Sequence, residues 1–130
     1  LELVGTTYPL IISIEKKSDE DPGKIIKAAF ELSGGMISVS AFVKQIVVVD
    51  DDVDIHDSSD VQWAIYSRIP DESRIMVIPN MPSWCFDPVT KPDGTSVRIG
   101  IDATKPLKYA DKSKRIKIPG LEKTRLEEYL

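Results

Sequence analysis

Val43-Lys44-Gln45-Ile46-Val47-Val48-Val49-Asp50-Asp51-Asp52-Val53-Asp54 decides the fold class. From Val43 to Val49 the stretch is a short apolar run rich in β-branched residues. Such side chains suit a strand buried on both faces, as in a parallel sheet. The run then stops abruptly in acids, so four carboxylates sit just past the end of a buried strand. In open α/β sheets that edge is where ligands bind.

Before this stretch, Leu10 to Ile14 alternates around Ser13 and follows Pro9, the pattern of a strand. Asp21-Pro22 is a helix-start signal that puts proline at the first helical position. Ile25, Ala29 and Leu32 then share a face, with Ile26 and Phe30 beside them, and Gly34-Gly35 ends the helix. Met36 to Phe42 mixes apolar residues with serine and fits neither period.

After it, Ser59-Asp60-Val61-Gln62 has capping-box spacing, and Val61, Ala64, Ile65 and Arg68 follow on one helical side. Ile75 to Ile78 reads as another short buried strand. Met81 to Ser96 is a long loop with Pro82, Pro88, Pro92 and Gly94, and Val97 to Ile101 is extended again. Leu107 to Pro119 is basic and poor in apolar residues, an exposed connection. Glu122 to Leu130 carries helix formers, with Leu126 and Leu130 four apart. The order predicts a layered α/β domain with a mainly parallel or mixed sheet and helices packed on it. It divides into a domain over residues 1–106 and an extended C-terminal arm ending in a helix over 107–130.

The bulk composition agrees. A chain of 130 residues fits one domain, and 42% hydrophobic with 29% charged residues is a globular balance. A net charge of −4 argues against a nucleic-acid grip, which needs a basic face. No apolar run reaches the roughly 18 residues that span a bilayer. Cys85 is the single cysteine and cannot form an internal disulfide, so a reducing cytoplasm is the expected compartment. The opening Leu1-Glu2-Leu3, without Met, suggests a piece of something longer.

Clustered carboxylates repel and want a cation, a basic partner or water. One reading of the acidic corner is therefore a Mg²⁺ site or phospho-acceptor pocket on Asp50 and Asp52. A receiver-type domain, however, puts its acid-tipped strand first and ends a later strand in an acceptor Asp, whereas here Ile75 to Ile78 runs into Pro79-Asn80. The residues favour a solvated turn in which Asp50, Asp52 and Asp54 cap backbone groups before the next helix. His56, the only histidine, has no His/Cys neighbour at zinc spacing, and Cys85 has none at nucleophile spacing. Trp63 is expected to pack.

Read whole, the stretch from Val43 to Asp54 resembles a hallmark of UbiD-family decarboxylases. It continues through Ile55-His56-Asp57, Asp60-Val61-Gln62-Trp63-Ala64-Ile65 and Ser67-Arg68, similar to the family's "DV-WA---R" helix. Ser96-Val97-Arg98-Ile99-Gly100-Ile101-Asp102-Ala103-Thr104-Lys105-Pro106 resembles its "SK-GIDATKP" segment. Gly5-Thr6-Thr7-Tyr8 and Ile12-Ser13-Ile14, followed by a Pro-Gly helix start, also fit. The likeness covers Gly5 to Pro106. It departs at Arg98, where the family often has Lys, and the two are not equivalent at a phosphate contact. Trp84-Cys85-Phe86 matches no part of the pattern.

The resemblance implies a reversible, non-oxidative decarboxylase of aromatic or α,β-unsaturated acids, using prenylated FMN, a divalent metal and K⁺. It implies an N-terminal region, a split β-barrel that binds the flavin, and a C-terminal α/β domain for oligomer contacts. The likeness falls in that last domain. The family's catalytic Glu-Arg-Glu network and metal ligands belong upstream, so this segment is expected to hold no catalytic residue and, alone, no cofactor. Its expected partners are the upstream flavin domain and further copies of itself.

Lys44 and Arg98 are the candidates for the flavin phosphate or a domain contact, with Lys105 as a further contact; otherwise each is a solvated charge, or Lys44 pairs a local acid. Leu121, Leu126, Tyr129 and Leu130 are expected to dock on another subunit or domain, because an arm of this kind has little reason to fold back alone. The alternatives are a frayed terminus, a stand-alone accessory subunit of the same fold, and a metal-binding signalling domain built on Asp50–Asp52.

Overall fold

The computed structural model describes residues 2–5, 9–32, 43–83, 86–116, 119–120 and 125. In chain order these form β1 (Glu2–Gly5), β2 (Pro9–Ile14), α1 (Asp21–Glu31), β3 (Gln45–Asp50), α2 (Ser58–Arg68), β4 (Ile75–Pro82) and β5 (Thr95–Ala103). Single 3-10 turns lie at Glu72–Arg74 and Leu107–Tyr109. The described strands make one sheet in the order β1-β2-β3-β5-β4. Its centre is parallel, with Ile11 opposite Val47 and Val47 opposite Ile101. Both edges are antiparallel, so the sheet is mixed.

β3 is central because nothing polar interrupts Ile46-Val47-Val48-Val49, and all four are buried. Strand alternation splits them between two layers. Ile46 and Val48 meet Ile26 and Phe30 of α1 on one face. Val47 and Val49 meet Val61 and Ala64 of α2, with Ala103, on the other. Each buried aliphatic side chain contributes about 1.5–3 kcal/mol, which is why this strand organises the domain.

Several local expectations need correction. On α1, Pro22, Ile26 and Phe30 are buried and Ile25 and Ala29 pack beside them as expected, but Leu32 is 87% exposed at the helix end. The bulkiest side chains on the sheet side set the rotation. The helix α2 is capped by Asp57, whose side chain accepts from Ser59 N at 2.8 Å, so Ser59 is not the cap. Asp60 instead turns inward and accepts from Asp54 N at 2.8 Å.

The strand β4 is not short and buried. It is an eight-residue edge strand with Ile75 45% and Val77 61% exposed. Its second half is irregular: the register shifts between Ile78 and Met81, and Asn80 has φ 57°. β1 was not anticipated, because four residues carry too little pattern. The 33–42 segment, including Gly34-Gly35, lies outside the described residues. Among the described residues no helix is long and apolar enough to cross a membrane.

Candidate functional site

The strands β2, β3 and β5 are parallel, so their C-terminal ends share one edge. There the chain gathers its charges. Arg68, buried at the end of α2, donates from Nη1 to Asp50 Oδ2 at 3.1 Å and to Asp52 Oδ1 at 2.9 Å. Its Nη2 donates to Asp52 Oδ2 at 2.8 Å. Lys105 Nζ reaches the same oxygen at 3.0 Å, and Lys105 N donates to Asp50 Oδ2 at 2.6 Å. Lys16 Nζ, its side chain almost fully buried, bonds Asp19 at 2.8 Å, Thr104 Oγ1 at 3.0 Å and the Lys105 carbonyl. Asp102 accepts from Thr104 N at 3.0 Å and Thr104 Oγ1 at 2.6 Å, and pairs with Arg74.

This geometry corrects the reading of the acidic corner. Asp50 is buried and ion-paired, not solvated, and neither it nor Asp52 caps α2. Asp54 closes its own turn by accepting from His56 N at 2.9 Å. The carboxylates meet cations of the same chain, and among the described residues no group of three or more His, Cys, Asp or Glu could hold a metal ion. Burial pushes the Asp50 carboxyl up, against the opposing pull of the Lys105 N–H and Arg68. Burial also raises Asp52, but the hydrogen bonds from Arg68 and Lys105 outweigh it and hold that carboxyl low.

The run Gly100 to Pro106 acts as a clamp on this edge. Gly100 lies beneath α1, where a methyl group would overlap Ile26 Cγ2 and stand 3.3 Å from Cδ1. Ala103 is buried under α2, and Thr104 is fully buried against Asp102 and Lys16. Lys105 then ties the strand end to both Asp50 and Asp52.

Lys44 and Arg98 sit toward the opposite end of the sheet. Lys44 Nζ pairs with Asp87 Oδ2 at 2.6 Å and stays 26% exposed. Asp87, a residue that sequence reasoning missed, also accepts from Ser83 Oγ at 3.1 Å and Val89 N at 3.2 Å. No local pattern marks it, since its partner lies on another element. Arg98 is a correction: it is fully buried rather than solvated. Its Nη2 donates to the Pro82 carbonyl at 2.7 Å and Nη1 to the Val97 carbonyl at 3.1 Å and to Ser96 Oγ at 2.5 Å. Both cations brace the connection between β4 and β5, which also closes on itself through Ser83 N to Gly94 O at 3.0 Å. Phe86 on that connection is exposed, while Trp84 and Cys85 lie outside the described residues.

The hydrogen bond from Lys44 holds Asp87 low, and that from Lys16 does the same for Asp19. Asp19, Asp52 and Asp87 therefore all bind protons less readily in the folded chain. Such groups stabilise the fold above their unfolded pKa, about 3.9, and that stability is lost as pH falls through the lower folded value. Asp50 works in the opposite sense, because protonation relieves its desolvation. We expect Tm, followed by calorimetry, to hold or rise slightly from neutrality to about pH 4, as Asp50 takes up its proton, and to drop below it, with D52N removing part of the drop.

Within the C-terminal arm, the described residue Arg115 touches α2. Arg115 pairs with Asp60 and lies over the Trp63 ring at 5.1 Å from its centroid, and Arg68 lies over the same ring at 4.8 Å. Trp63 thus packs, as anticipated, but with guanidinium groups. Arg115→Ala should cost the domain only about 1 kcal/mol. It should free the arm, read as chymotryptic cleavage at Tyr109 several-fold faster than in the parent. Leu121, Leu126, Tyr129 and Leu130 lie outside the described residues.

Comparison with known proteins places this architecture. The profile of the 3-octaprenyl-4-hydroxybenzoate carboxy-lyase C-terminal domain matches residues 2–103. The chain belongs to the UbiD family. The anhydromevalonate phosphate decarboxylase of Methanothermobacter thermautotrophicus is 33% identical over 105 residues, covering 81% of this chain and 23% of that protein. The gallate decarboxylase of Lactiplantibacillus plantarum is 31% identical over 122 residues, covering 85% and 24%. The UbiD-class enzyme HmfF from Pelotomaculum thermopropionicum, solved in complex with FMN, superposes with a TM-score of 0.73 at 37% identity. That match covers 95% of this chain and 26% of the enzyme. The chain thus spans about a quarter of the length of its UbiD relatives.

Proposed function

We propose that this UbiD C-terminal domain is a rigid platform beside a flavin-binding domain of the same protein, serving active-site closure and subunit contact rather than bond cleavage. The observation that carries the reading is the state of its charged residues. Asp50, Asp52, Arg68 and Lys105 hold one another, and Lys44 holds Asp87. Groups so committed fix strand ends in place, and that is what a platform requires. Arg98, buried against carbonyl groups, does not fit a phosphate contact. Lys44 keeps some exposure and is the better residue for one.

The whole protein, in this reading, decarboxylates an aromatic or α,β-unsaturated acid with prenylated FMN held upstream, together with a divalent metal and K⁺. HmfF in complex with FMN, and an evolved dimeric HmfF in complex with prFMN, supply the precedent. The arm from residue 107 onward, through Leu121, Leu126, Tyr129 and Leu130, contributes to a homo-oligomer.

The test compares the full-length protein with this chain alone. Flavin absorbance and CO₂ release from a panel of such acids are expected only in the former. Flavin retention and turnover by the isolated chain would overturn the proposal.

A further inference from the structure

Among the described residues, one face of the sheet is only half covered. The helix α2 covers Val47, Val49, Ile101 and Ala103. On the same face, Val77 stands opposite Ile99, Ile75 opposite Ile101, and Val97 falls two residues from Ile99. These four aliphatic residues remain open to water: Ile75 45%, Val77 61%, Val97 43% and Ile99 36% exposed. Met76 and Ile78, which alternate with them on β4, and Met81 beyond the register shift pack on the opposite side against the α1 core. The patch is contiguous across two strands and presents on the order of 300 Å² of apolar surface, a size that is often functional.

We infer that this face seats the upstream part of the same polypeptide. The inference rests on the reading that a flavin-binding domain precedes this one, and it assigns that domain a docking surface. Two observations select the occupant. A stable contact between separate molecules buries about 800 Å² per partner, well beyond this patch. A tethered neighbour needs less, because the linker holds it at an effective concentration in the millimolar range. The relatives that this chain matches are about four times its length, and the matched profile is a C-terminal domain, so the rest of such a protein lies upstream.

The edge of β4 also restricts how docking occurs. Pro79, Pro82, the register shift and the left-handed Asn80 interrupt the outer backbone of its second half. Strand addition is blocked there, and the contact is made by the side chains of the face.

The test uses the full-length protein and the variants V77D, I99D and V77C. Light scattering reports molar mass, limited proteolysis reports the join between domains, and circular dichroism reports folding. We expect V77D and I99D to keep the parent mass and fold while the interdomain segment is cut at least tenfold faster. V77C, which preserves shape, should react with maleimide at least tenfold more slowly than it does in urea, at concentrations where the mass is unchanged by dilution. A fall in mass for the aspartate variants would assign the face to a second copy and overturn the inference. Unchanged cleavage, or V77C labelling as fast as in urea, would show the face bare and overturn it equally. Absence of bound flavin in the parent protein would instead count against the underlying function, leaving the docking readouts to be judged on their own.

Discussion

Arg68→Leu should cost the domain about 3–5 kcal/mol, the range for breaking a buried ion pair from one side. The guanidinium is wholly buried and serves Asp50 and Asp52 together. Leucine leaves Asp50 buried with its charge facing no guanidinium, and it removes one of the two guanidinium groups over Trp63. For a chain of this size the loss corresponds to a Tm lower by about 10 °C or more. Adding D50N to R68L should recover a substantial part of the loss, because the stranded charge is then gone. Denaturant titration of the two single variants and the double variant measures the coupling. A cost under about 1 kcal/mol for R68L would mean that the pair behaves as a surface contact.

Gly100→Val is the second large effect. Even one methyl group at this position overlaps Ile26, which is buried between α1 and the sheet. Overpacking of this kind costs about 1–3 kcal/mol, so Gly100→Ala should fall in that range and valine at or above its top. I26V should partly rescue G100A by shortening the opposing side chain, and denaturation midpoints would show it. If G100A were neutral with Ile26 intact, α1 would have to move off β5 at no cost, against the close packing of that layer.

The sequence was legible where one period acts alone. Val43 to Val49, seven residues rich in β-branched side chains, suits a two-faced buried strand, and Asp21-Pro22 is a helix-start signal, so the central layer was readable without coordinates. Ile75 to Ile78 misled because a four-residue apolar run looks the same on an open edge as in a core. The family-like motifs marked Arg68, Gly100 and Lys105 as notable without saying why. Their partners Asp50, Ile26 and Asp52 come from other elements, and only the fold brings them within reach. The pairing of Lys44 with Asp87 was hidden for the same reason. Arg98 looked solvated because an arginine in an alternating strand does so by default, whereas here the β4–β5 connection folds over it.

Among the described strands, the last one made is not at the sheet's edge. β5 inserts between β3 and β4, both of which leave the ribosome earlier. Until Ala103 has emerged, β4 has no hydrogen-bonding neighbour and the inner side of β3 stands open. Committed folding during translation must therefore wait for nearly the whole domain, and a nascent chain stalled before β5 exposes two incomplete sheet fragments to chaperones or to aggregation.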